Sequence, residues 1–189
     1  MLVDESFHIP RTPVAVVAID GSGEALLVRS ILESLHAVVI LHLMGTPEDF
    51  LRVLGQGESA PRYMIICGHG DEAGLVFGEY GENIDVSALQ LGLMAPSAIA
   101  ERVNLPGRIV VSTACQSGAK AFGEAFLRGG VAAYIAPDGA PHAYDAPLFI
   151  HLLFHHLLQR RSSLASALRQ AKDYDSELQM FTCFPSPRE

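Results

Sequence analysis

Two short stretches of the chain carry residue types that can do chemistry together. "MIICGHG" (Met64 to Gly70) is an apolar run that ends on a histidine, His69, held between two glycines. "IVVSTACQSG" (Ile109 to Gly118) is a second apolar run, ending close to Cys115 with a glycine three residues further on. A thiolate attacks a carbonyl carbon, and an imidazole beside it manages the proton of the nucleophile and of the leaving group, so the pair has the parts needed for covalent catalysis. Gly70 adds a third part. With no Cβ, its backbone N–H can approach a substrate oxygen and, with the N–H of Cys115, form an oxyanion hole. Forty-six residues separate His69 from Cys115, so the fold has to bring them together.

The elements expected around them alternate. "VAVVAID" (Val14 to Asp20) is a β-branched run of the kind found in strands covered on both faces, closed by Gly21-Ser22-Gly23. Leu27, Val28, Ile31, Leu32 and Leu35 then recur at helical spacing. "AVVILHL" (Ala37 to Leu43) reads as a second strand, and Thr46-Pro47-Glu48-Asp49 opens a helix with an N-cap, a proline in the first turn and two carboxylates near the positive end of the dipole. The His69 and Cys115 stretches are the third and fourth strands. Gly78-Glu79-Tyr80-Gly81 marks a small hairpin between them, followed by a short helix over "SAIAERVNL". A helix with Phe122, Ala125 and Phe126 on its core side ends at Gly129-Gly130, "VAAYIAPDG" is the fifth strand, and helices start at Asp145 and Ser163, the first running through Leu158. Residues 1–189 thus read as one α/β domain with a mostly parallel sheet and an irregular tail from about residue 178. In such a sheet the ligand site lies outside the carboxyl ends of the strands, where His69 and Cys115 both fall.

Bulk properties narrow the partners. A formal charge of −8, with basic residues never in a run, argues against a nucleic-acid or anionic-membrane surface. No apolar run reaches the roughly 20 residues of a membrane span, and the first residues lack the pattern of a signal peptide, so the expected compartment is the cytoplasm. Three cysteines, Cys67, Cys115 and Cys183, are an odd number at no metal-ligand spacing, as expected of thiols in a reducing compartment. His151 and His155 share a helix face, but no HExxH glutamate or third ligand accompanies them, so no metal or other cofactor is expected. Cysteine-phosphatase chemistry needs an arginine six residues after the nucleophile, where this chain has Ala121.

The stretches "YMIICGHGDEAGLVFGE", "IVVSTACQSGAKAFGEAFLRGGVAAYIAPDG" and "YDAPLFIHLLFHHLLQRRSSLASALRQAK", in that order, resemble the CHAT branch of the caspase-like (clan CD) cysteine peptidases. The resemblance spans about Tyr63 to Lys172. It implies a three-layer α/β/α caspase-like sandwich, a catalytic dyad at His69 and Cys115, an oxyanion donor at Gly70, and cleavage of a protein or peptide substrate after a chosen P1 residue. A protein partner that activates or regulates the site is a further expectation. Metacaspase-like relatives carry an aspartate two residues before the cysteine to bind a basic P1 residue. Here that position is Thr113, which leaves Asp138 and Asp145, beyond the fifth strand, as candidates for an acidic pocket wall. Two other readings compete. One is a catalytically silent caspase-like interaction module. The other is a cysteine-dependent amidase of the glutamine-amidotransferase kind, whose Gly-x-Cys-x-Gly elbow would need a glycine where Thr113 stands.

Overall fold

A computed structural model describes residues 11–19 and 21–185. The elements run β1 (Thr12–Ala18), α1 (Gly23–Ser34), β2 (Ala37–Leu43), α2 (Pro47–Leu54), β3 (Tyr63–Cys67), β4 (Leu75–Val76), β5 (Leu93–Met94), α3 (Pro96–Arg102), β6 (Ile109–Ser112), α4 (Lys120–Arg128), β7 (Ala133–Pro137), α5 (Asp145–Phe154), α6 (Leu164–Lys172) and β8 (Phe181–Phe184). Six strands form one sheet in the order β2-β1-β3-β6-β7-β8, parallel except for β8, which runs antiparallel to β7. β4 and β5 pair antiparallel in a separate hairpin.

Alternation along the strands divides the core in two. Val14, Val16, Ile65, Val111 and Ile135 face α1, α5 and α6, whereas Ala15, Val17, Met64, Val110 and Tyr134 face α2, α3 and α4. This is the expected three-layer α/β/α sandwich with a mostly parallel sheet. The central strands β3, β6 and β7 are buried throughout, which is why they read as continuous apolar runs. Thr46 caps α2, its hydroxyl accepting the Asp49 N–H at 3.2 Å. Ser163 does the same for α6 through the Ser166 N–H.

Three local expectations are corrected. The buried face of α1 is Ala25, Val28 and Leu32, with Leu27 turned half out to solvent, because α1 lies against α5 along that stripe. The helix expected through Leu158 is α-helical only to Phe154 and finishes as a π-helical turn over His155–Gln159. The end of the chain is not irregular at Phe181–Phe184, where it supplies the sixth strand. Phe181 stacks on Phe149 of α5 at 3.7 Å between ring centroids, and the Phe184 ring occupies the space a Cβ on Gly123 would need. These two aromatic anchors hold a four-residue segment, closed by Pro185, that is too short to give a strand signal of its own. Among the described residues no helix is long and apolar enough to cross a membrane.

Candidate active site

The pairing of β3 with β6 sets the geometry. Tyr63 lies opposite Ile109 and Ile66 opposite Ser112, and the Thr113 N–H continues the ladder to the Ile66 carbonyl at 2.9 Å. Three residues beyond the Ile66–Ser112 pair on either side come His69 and Cys115, which line the same cavity. Gly70 is in contact across this gap: a Cβ built on it would lie 3.0 Å from the Cys115 carbonyl oxygen and 3.2 Å from the Ala114 Cβ. A Cβ at this position would push the two backbones apart by a few tenths of an ångström.

Gly70 also begins a short antiparallel turn with Leu75, in which the Val76 N–H donates to the His69 carbonyl at 2.9 Å and the Asp71 N–H to the Gly74 carbonyl at 3.0 Å. Those bonds flank Gly70 and leave its own N–H out of the pairing. Among the described residues neither the Gly70 N–H nor the Cys115 N–H has an acceptor. His69 is exposed and Cys115 half-buried, so both can be reached from solvent.

The turn after Cys115 is pinned from beneath. Gln116 takes a left-handed backbone conformation (φ 61°), and its N–H donates to the Gly139 carbonyl at 2.7 Å. The Gly118 N–H donates to the Pro137 carbonyl at 2.8 Å. The buried Ser117 hydroxyl bonds to the Ala114 carbonyl at 2.6 Å and to Ser112 Oγ at 2.8 Å, and the Tyr134 hydroxyl donates to the Ser117 carbonyl at 2.9 Å. A buried, fully bonded polar network of this kind fixes one conformation, here that of the Cys115 loop.

Cys115 and His69 line one cavity of about 300 Å³ together with Thr113, Glu24, Gly23 and His142. Glu24 is the functional candidate that reading the sequence missed. It sits in the first turn of α1, and β1 pairs in parallel with β3 through Ala18 and Cys67, so the β1–α1 connection emerges beside Gly68 and His69. The rule that ligand sites lie at the carboxyl ends of strands applied to β1 as much as to β3 and β6, and was the available signal. Burial pushes the Glu24 carboxyl above the ordinary carboxylate range, against the opposing pull of the Thr113 hydroxyl and the His69 charge. Cys67 is buried in the core, and burial, helped by the charge of Glu24, holds its thiol far above the ordinary range, leaving it unreactive.

Asp138 and Asp145, expected as acidic walls, are not among the residues lining this cavity. Asp138 is exposed, with its N–H donated to the Met180 carbonyl at 2.9 Å. Asp145 is buried at the start of α5 and accepts the His142 N–H at 3.1 Å, so its carboxylate closes a turn. Its ligand atom, with those of His142 and Glu177, falls in a group spanning 4.8 Å, the one set of three potential metal ligands among the described residues. Larger depressions of about 410 and 560 Å³ lie away from the strand tips, and neither is lined by a cysteine.

No protein-family model matches this sequence, and no curated protein does. Solved structures do match. The chain overlays on the Arg-specific cysteine proteinase gingipain R with a TM-score of 0.59 and 12% identity, over 91% of this chain and 45% of that one. The fold is that of the caspase-like cysteine peptidases. In a complex of the pro- and mature domains of the gingipain of Porphyromonas gingivalis, the caspase-like match has a TM-score of 0.56 at 12% identity, over 89% of this chain and 45% of that one. Separase in the separase–securin complex of Saccharomyces cerevisiae gives 0.55 at 12% identity, over 95% of this chain and 12% of that one. The chain therefore spans less than half the length of these caspase-like peptidase chains.

Proposed function

We propose that this chain is a cysteine endopeptidase of the caspase-like, CHAT type. Cys115 is the nucleophile, His69 the general acid and base, and the N–H groups of Gly70 and Cys115 the oxyanion donors. The observation that carries the reading is the convergence, beyond the ends of two adjacent parallel strands, of a reachable thiol, an imidazole and two backbone N–H groups that have no acceptor among the described residues.

The chemistry follows from the parts. The Cys115 thiol gives its proton to His69, and its sulfur attacks the carbonyl carbon of the scissile peptide bond. Negative charge collects on the carbonyl oxygen, where two preorganised N–H donors stabilise it without moving. As the tetrahedral species collapses, His69 returns the proton to the departing amine and an acyl-thioester remains on Cys115. His69 then takes a proton from water, the hydroxide attacks the thioester, and collapse releases the carboxylic acid while the proton returns to the thiol.

The substrate in this reading is a protein or peptide, and the three free thiols fit a reducing compartment such as the cytoplasm. Gingipain R is seen with its pro-domain and separase with securin. By analogy, a protein partner that holds or releases the cleft belongs with the proposal.

The test is intact-mass labelling of the full chain with acyloxymethyl-ketone peptides of varied P1, beside His69→Ala and Cys115→Ala. One adduct on Cys115 that requires His69 is the expected result. Alkylation of Cys115 by iodoacetamide with no adduct from any peptide probe would instead favour a cleft that binds without cutting.

A further inference from the structure

We infer that the depression at the amino end of the parallel strands is a binding site for a small organic phosphate, with Arg62 and Arg161 as its anchors. Thr12 and Tyr63, the first residues of β1 and β3, line it, so it lies at the other end of the sheet from Cys115 and is independent of the peptidase reading.

Three unusual backbone features meet there. One wall is the end of α1, and another is the π-helical turn over His155–Gln159, a rare element that recurs at functional sites. The Gln159 side-chain amide donates to the Leu35 carbonyl at 2.6 Å and ties the two walls together. Beyond the C-cap of α1 stands His36 (φ 61°), and beyond the C-cap of the π-helical turn stands Arg161 (φ 52°). Among the described residues four that are not glycine have positive φ, and these two line the one depression. Glycine or asparagine is the usual residue at such a position, because an L side chain there is strained. A cation in the last turn of a helix would serve the helix dipole without that strain. Among the described residues neither the His36 nor the Arg161 side chain is hydrogen-bonded, so the strain is not offset by capping.

Charge names the ligand. The lining carries Arg62, Arg161 and His36, and among the described residues it carries no carboxylate, on a chain of formal charge −8. The ion pairs formed among the described residues, Arg29–Glu33, Arg52–Asp49, Arg102–Glu48 and Lys120–Glu124, use neither guanidinium. That of Arg62 rests over the neighbouring Tyr63 ring, 5.4 Å from its centroid. One guanidinium satisfies a carboxylate. Two, with an imidazole N–H, match a phosphate monoester, which has about two negative charges and three acceptor oxygens. Two arginines are too few to hold a polynucleotide, whose affinity grows with the number of phosphates neutralised. The volume, about 560 Å³, falls within the ~300–1,000 Å³ of small-molecule sites and exceeds what a bare ion fills. Tyr63, Leu157 and Leu158 add apolar surface to the lining for the organic part.

The experiment is isothermal titration calorimetry of the full chain with phenyl phosphate, beside inorganic phosphate, benzoate and phenol. Phenyl phosphate is expected to bind at one site and more tightly than the other three. Arg62→Gln and Arg161→Gln should each weaken it by about 10- to 100-fold, the worth of a hydrogen bond to a charged group. Arg161→Gly removes the guanidinium and relieves the left-handed residue, so it should melt at or above the wild-type temperature while losing the same affinity, which keeps the test valid if a glutamine variant fails to fold. No binding of phenyl phosphate by wild type at millimolar concentration overturns the site. Affinity unchanged in Arg62→Gln and Arg161→Gly overturns it too. Benzoate bound as tightly as phenyl phosphate overturns the phosphate assignment, and inorganic phosphate bound as tightly overturns the organic part.

Discussion

Ile66 and Ser112 form the last pair of the ladder between β3 and β6, and His69 and Cys115 follow it by three residues on either side, in loops that line one cavity. Both strands are fully buried, so the ladder from which the two loops depart is part of the packed core. Cys115→Ala is expected to abolish peptide cleavage with little change in stability, since the thiol is half-buried and outside the packed clusters. His69→Ala should lower turnover by ~10²–10⁴-fold, the usual worth of a positioned acid–base group. Circular dichroism and thermal melts of both variants check that the fold survives; turnover in His69→Ala equal to wild type would remove His69 from the mechanism.

Gly70→Ala tests the close approach of the two strand tips. Its new methyl would meet the Cys115 carbonyl oxygen at 3.0 Å and the Ala114 Cβ at 3.2 Å, tight enough to make the loops separate by a few tenths of an ångström. Stability should fall by about 1–2 kcal/mol, as for modest overpacking. Turnover should fall much further, ~10²-fold, because an oxyanion donor displaced by that distance loses most of its effect. Chemical denaturation and steady-state kinetics on the same preparation separate the two losses.

Gly118→Ala probes the anchor of the Cys115 loop from below. Here the methyl would come within 2.6 Å of the Asp138 nitrogen and the Pro137 carbonyl carbon, backbone atoms at the end of β7 that cannot swing aside as a side chain would. A loss of about 2–3 kcal/mol in denaturant unfolding is expected, together with loss of the Gly118–Pro137 hydrogen bond. If the variant is as stable as wild type, the loop has slack and does not preorganise Cys115.

Phe181→Ala addresses the sixth strand. Phe181 is fully buried and stacked on Phe149, so truncation should cost about 3–5 kcal/mol. Amide exchange should also accelerate along Phe181–Phe184, the segment whose pairing with β7 depends on that anchor.

These anchors also explain what could be read from the sequence. β1, β3, β6 and β7 were legible because buried parallel strands leave unbroken apolar runs, and His69 and Cys115 stood out because each follows such a run. β2 was legible as an apolar run too, although it is an edge strand with Val38, Ile40 and Leu43 exposed. The third layer and the sheet's α/β/α order followed from alternation and family resemblance. β8 was not legible, because four residues before a proline have no period of their own and are strand only where Phe149 and Gly123 receive them. Leu27 was assigned to the buried face of α1 because spacing alone cannot choose between adjacent stripes of an apolar helix. Glu24 escaped for a topological reason: it reaches the site only because β1 lies next to β3 in the sheet, an order that no local pattern encodes. The acids favoured instead, Asp138 and Asp145, follow β7, one strand further along, where one points to solvent and the other caps a turn.

Glu24 gives a prediction about stability that is independent of any substrate. Its carboxyl titrates above the ordinary glutamate value of 4.5 in the folded chain, chiefly because burial disfavours the charge. The folded state therefore holds this proton more tightly than the unfolded one. Below pH 4.5 both states are protonated and Glu24 costs nothing. As pH rises through the window between 4.5 and the raised folded value, the unfolded state releases its proton first and stability declines, and above that window the penalty is present in full. Glu24→Gln keeps the shape and removes the charge, so its melting temperature should exceed that of wild type at pH 7 to 8 and converge on it below pH 4.5. Thermal melts of the two proteins across that range decide the matter: a gap that stays constant with pH means the carboxylate is not paying for its burial, and its place in the cleft must then be explained without a desolvated charge.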